Sequence, residues 1–79
     1  MTIEIRLFAT LAEFLPPGSQ SGRATLDVPE TTNVGGVIAL LGIPSEIPSI
    51  VLVNGQDADT DRALAPGDVV TLFPPLAGG

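Results

Sequence analysis

The sequence contains no cysteine, which excludes disulfides, thiolate metal sites and a thiol nucleophile. Histidine is absent as well, and with it the commonest general base and the commonest zinc ligand. There is no tryptophan or tyrosine and only three phenylalanines, so a core has to be built from Val, Ile, Leu and Ala. Lysine is missing: the three basic residues are Arg6, Arg23 and Arg62. No side-chain amine is therefore present to accept an acyl group. Nine acidic residues leave a net charge of −6. Phosphate backbones and anionic headgroups are bound by lysine and arginine, so nucleic acid and membrane surfaces are not expected partners. A basic protein surface fits the charge; simple solubility also accounts for it. The N-terminal stretch "MTIEIRLF" alternates, with no basic segment leading into an apolar run. The expectation is a cytoplasmic protein without signal peptide or membrane helix.

What is present is enough for one small domain: 79 residues, 44% of them hydrophobic. Ile3, Ile5 and Leu7 alternate with Glu4, Arg6 and Phe8 as a strand with one apolar face. "ATLAEFL" has helical spacing but is cut short by "PPGSQSG". Ala24, Leu26 and Val28 then mark a second strand, Arg23 to Val28, forming a hairpin with the first across a long connection. In "PETTNVGGVIALLG", Val34, Val37, Ile38 and Leu41 share one helical face. Thr31, Thr32 or Asn33 caps that helix and Gly42 stops it. Gly35 and Gly36 either pack closely on the sheet or mean that the helix starts late.

"IVLV", Ile50 to Val53, reads as a strand, and Asn54-Gly55 as a tight turn. Gln56 to Asp59 pairs back as a brief strand. Asp57, Asp59 and Asp61 alternate but lack the glycine and glutamate positions of a calcium loop, and a solvated acidic edge is the better reading. Asp61 to Leu64 is expected to form one helical turn, and Ala65-Pro66-Gly67-Asp68 a turn with proline second. Val69 to Phe73 is the last strand. One helix on a mixed sheet gives an α+β domain with one sheet face uncovered. Phe8 and Phe73 both fall on that side. Clustered there, they would form an interface; the loop from Leu15 to Gly22 folding over one of them is the alternative.

The chain ends in "FPPLAGG". Layout and tail together resemble the MoaD/ThiS sulfur carriers, which have the ubiquitin-like β-grasp fold. The resemblance spans nearly the whole chain and is carried by "IRLFATLAE" (Ile5 to Glu13), "VLVNG" (Val51 to Gly55), "LAPGDVVTLFPP" (Leu64 to Pro75) and the final "AGG". The Phe-Pro-Pro ending is most similar to the MoaD branch, the small subunit of molybdopterin synthase. Two departures stand out: "LLGIPSEIPSIVLVNG" is short, as in ThiS, and Ala12 occupies a position where MoaD-like chains often carry arginine.

The resemblance implies a β-grasp domain over residues 1–73 and an extended tail over 74–79. It implies adenylation of the Gly79 carboxylate by a ubiquitin-activating-like adenylyltransferase using ATP. A sulfurtransferase then supplies the sulfur that replaces AMP and leaves a thiocarboxylate. That sulfur is donated in molybdopterin biosynthesis, with the synthase large subunit as partner, a heterotetramer being one form. No bound cofactor and no metal is expected, and the carrier contributes no catalytic side chain. The residues suit these steps on physical grounds. Residues 74–79 reach about 20 Å when extended. Gly78 and Gly79 lack a Cβ, so Leu76, Ala77, Gly78 and Gly79 can thread a narrow channel. Pro74 and Pro75 arrive with φ already set, which lowers the ordering cost of the stem. Phe73 and Phe8 are the expected partner interface. Alternatives are a ThiS-like carrier for thiazole synthesis, a modifier forming isopeptide bonds, and a plain binding module with an incidental tail.

Overall fold

The structure is a computed structural model that describes residues 1–44 and 46–75. Among the described residues, five strands and one α-helix follow in order. They are β1 (Thr2–Leu7), a 3-10 segment (Ala9–Phe14), β2 (Arg23–Asp27), α1 (Val34–Leu41), β3 (Ile50–Val53), β4 (Gln56–Asp57) and β5 (Val69–Phe73). The sheet order is β2-β1-β5-β3-β4. β1 and β5 run parallel, and the other pairs are antiparallel. This is the expected α+β arrangement, and β5, last in sequence, lies in the middle.

The apolar alternation decides which face is core. Ile3, Ile5 and Leu7 of β1 are buried with Val51 and Val53 of β3 and Val70 and Leu72 of β5. Ala24 and Leu26 face Ile5 and Ile3 across the first hairpin and are half-buried. Val34 and Val37 bring α1 onto this layer, and Leu11 pins the 3-10 segment to it. Each such side chain contributes about 1.5–3 kcal/mol by leaving water, an upper estimate because real unfolded chains are already partly collapsed.

Asn33 is the residue that caps α1: its Oδ1 accepts the Gly36 N–H at 2.8 Å. Gly42 ends the helix at φ 79°, a left-handed conformation that glycine adopts without strain. Two expectations fail nearby. Asp61 to Leu64 does not form a helical turn. The Arg62 N–H closes a turn on the Asp59 carbonyl, and the chain then runs extended past the start of α1. There the Thr60 and Arg62 carbonyls accept the Gly35 and Val34 N–H groups, while Leu64 donates to Thr32. Free N–H groups at a helix start need acceptors, and this segment supplies them. Gly35 is tight against this segment and Gly36 against the residue before the cap, and neither against the sheet. A Cβ on Gly35 would sit 3.3 Å from the Thr60 carbonyl, and one on Gly36 would sit 3.1 Å from the Thr32 methyl. β4 is also shorter than expected, with Ala58 adding one further bond to Val51.

The candidate docking face and the stem of the tail

The turn before β5 sets where the stem begins. Ala65 to Asp68 closes with the Asp68 N–H on the Ala65 carbonyl, and Gly67 sits at φ 85°. Proline second and a left-handed glycine third define a type II turn. The Asp68 carboxylate accepts the Ala65 N–H at 2.8 Å and the Asn54 amide at 3.0 Å. Asn54 itself, at φ 53° in the β3–β4 turn, accepts the Val69 N–H at 3.0 Å. These bonds, the Ala65 N–H first, then Asn54, with the nearby Arg62 charge, hold the Asp68 carboxyl below its ordinary range. "VNG" and "PGD" thus meet as one clamp that fixes the start of β5.

β5 then runs between β1 and β3 to Phe73. Pro74 cannot donate to a ladder, and regular pairing stops there. Pro74 is half-buried and Pro75 exposed. Leu76, Ala77, Gly78 and Gly79, expected to thread and react, lie outside the described residues.

Phe8 and Phe73 are brought together. Their rings stack with centroids 6.2 Å apart and planes 26° off parallel, within the range of favourable aromatic pairs. The Phe8 N–H donates to the Leu72 carbonyl, tying it to β5. Immediately afterwards the chain turns at Ala9, whose φ of 54° is uncommon for a residue with a side chain. Phe8 remains 47% exposed, so the Leu15–Gly22 loop does not enclose it; Phe73 is half-buried.

The same face holds more than the two rings. Ile50 is the register partner of Phe73, and Leu52 that of Thr71; both are half-buried, as is Val69. "IVLV" is apolar on both faces, and Ile50 and Leu52 are its outward pair. A tight hairpin also lies inside the connection that the sequence presents as one long loop. Gln20 and Arg23 exchange backbone bonds around Ser21 (φ 53°) and Gly22 (φ 77°), the signature of a type I′ turn. The dipeptide Ser-Gly was the available signal.

Arg6 on this face is ion-paired with Glu4. Among the described residues no group of three or more His, Cys, Asp or Glu is placed to hold a metal ion, so Asp57, Asp59 and Asp61 do not form one. No helix among them is long and apolar enough to cross a membrane.

The model of the family described as Mut7-C ubiquitin matches residues 1–77. Among solved structures, SAMP1 from Haloferax volcanii is similar at 34% identity over 100% of both chains, with a TM-score of 0.76. A second structure, of the H. volcanii small archaeal modifier protein 1, is similar at 31% identity over 95% of this chain and 98% of that one, with a TM-score of 0.73. A complex of subunits 1 and 2 of molybdopterin-converting factor from Helicobacter pylori matches at 20% identity over 100% of both chains, TM-score 0.63, a likeness of fold alone. No curated protein sequence matches.

Proposed function

The chain belongs to the Mut7-C ubiquitin family, and from that premise we propose that it is a sulfur carrier activated at the Gly79 carboxylate. A partner adenylyltransferase joins this carboxylate to the α-phosphate of ATP, releasing pyrophosphate. A partner-bound persulfide then displaces AMP to form an acyl disulfide, and a second partner thiol cleaves its S–S bond to leave the thiocarboxylate. This donates its sulfur in molybdopterin synthesis, water restoring the carboxylate. The large synthase subunit is the second partner, as subunit 2 is for the Helicobacter pylori subunit 1.

The observation that carries the reading is where the stem starts. It follows the central strand directly after Phe73, whose ring stacks on Phe8 on the uncovered side of the sheet. A partner holding this face also holds the root of the tail. The globule then acts as a handle and the catalysis belongs to the partner, which suits a chain without Cys, His or Lys.

A second reading is favoured by the likeness to a protein named as a modifier, at 31% identity. In that case the activated Gly79 carbonyl is transferred to lysines of other proteins. Both readings share the acyl adenylate and part afterwards. Intact-mass spectrometry of the protein from its own host separates them. A gain of about 16 Da, sulfur for oxygen, is the carrier's mark. Gly-Gly remnants on lysines of other proteins, without that gain, replace the carrier reading with the modifier. Neither signal, with an unmodified terminus, removes both.

A further inference from the structure

We infer that the uncovered face is charge-polarised, and that it selects a partner protein presenting a carboxylate to Arg6 and Arg23 and a cation to Asp57. The inference rests on the reading that this face docks a partner.

The register sets one row of side chains across the sheet. Arg23 pairs with Arg6, Arg6 with Thr71, Thr71 with Leu52 and Leu52 with Asp57. Residues paired across strands point to the same face. All five therefore lie on the side away from α1, because their neighbours Ile5, Leu7, Val51, Val70 and Leu72 are buried. At a strand spacing of about 4.8 Å, the row runs about 19 Å from Arg23 to Asp57. The next row toward the stem holds Phe8, Phe73 and Ile50. Along this row the face thus has an apolar centre, with Arg23 and the Glu4-paired Arg6 at the β2 end and Asp57 at the β4 end. The acid of β2, Asp27, lies at the far end of that strand beside the N-terminal amine.

The cationic end is the unexpected part. Nine acids and three arginines make cations scarce, yet two of the three occupy facing positions on neighbouring strands. Like charges directly opposite each other are destabilising. Glu4 pairs with Arg6, and Arg23 makes no ion pair among the described residues. Arg6 and Arg23 line one shallow depression of about 200 Å³ with Phe8, Ser21 and Gly22. The Ser21–Gly22 turn forms its wall, held by the Leu7 N–H on the Gly22 carbonyl at 2.9 Å. A planar carboxylate suits the guanidinium fork, and its aliphatic stem meets the exposed Phe8 ring. At the other end Asp57 is exposed and followed by the acidic Asp59 and Asp61.

Charges at the edge of an interface act mainly on association rate and its salt dependence. The test uses the whole chain with the adenylating enzyme of its own host, measuring binding kinetics and ATP–pyrophosphate exchange in parallel. Arg23→Glu and Asp57→Lys should each slow association about tenfold at low salt. Both should flatten its salt dependence, while Arg23→Lys keeps most of the rate. Wild-type association rates in both reversals overturn the inference while exchange upholds the carrier. Charge-dependent binding without exchange does the opposite, and no binding at all overturns both. Inorganic phosphate competing at sub-millimolar concentration overturns it as well, since the depression would then serve a small free anion.

Discussion

Asn54 and Asp68, separated by 14 positions in sequence, are joined by a 3.0 Å hydrogen bond that locks the β3–β4 turn to the turn opening β5. The pair also satisfies the Ala65 and Val69 N–H groups. Sequence motifs that carry a family resemblance here serve architecture first: they set the register of the strand from which the stem departs.

The lowered Asp68 pKa makes a pH prediction. A carboxyl held below its ordinary value of 3.8 when folded contributes stability above that value. The contribution fades as pH falls through the lower folded value. Replacing Asp68 by Ala should therefore lower Tm at neutral pH and flatten the acid end of the Tm–pH curve. Exposed hydrogen bonds of this kind are worth about 1 kcal/mol, or about 4–8 °C in a domain of this size. Thermal melts of both proteins from pH 2 to 7 are the check; parallel curves refute the assignment.

Ala9 makes a prediction of opposite sign to habit. Alanine to glycine in a helical segment ordinarily costs about 1 kcal/mol. At φ 54° the Cβ is the strained element, and glycine relieves it. Ala9→Gly should leave Tm unchanged or raise it, read by thermal melting. A loss of 1 kcal/mol or more, about the usual penalty, contradicts the geometry.

Leu11 anchors the 3-10 segment in the core. Leu11→Ala should cost about 2–5 kcal/mol through lost burial and the cavity left behind. Urea titration measures it. Phe73→Ala, at a half-buried position on the outer face, should cost less, keep a folded circular-dichroism spectrum, and weaken binding to the activating enzyme. An unfolded Phe73→Ala protein would make Phe73 a core residue instead.

Removing Gly79 tests the proposed chemistry at its own point. The truncated chain should keep the wild-type Tm and give no adenylate in pyrophosphate exchange. Retained exchange would place activation elsewhere.

The strands were legible because the apolar alternation is strong where one face is buried, as in Ile3, Ile5 and Leu7 against Glu4 and Arg6. The helix stop at Gly42 and the turns at Asn54-Gly55 and Pro66-Gly67 were legible because their backbone angles restrict the residues allowed. Local pattern failed where a distant partner decided the outcome. Asp61 to Leu64 is extended because the start of α1 draws on its carbonyls, and no spacing within the segment records that. Gly35 and Gly36 are small because of Thr60 and Thr32, which a helical wheel does not show. The outward position of the two phenylalanines followed from alternation; their stacking and the facing arginines required the register.

The central position of β5 has a mechanical consequence. A partner that grips the globule and draws the tail into a channel loads β5 along its own axis. Hydrogen bonds to both neighbouring strands then resist in shear, many at once, whereas an edge strand would peel away bond by bond. The sheet order therefore lets the tail be tugged without unravelling the protein to which it is attached.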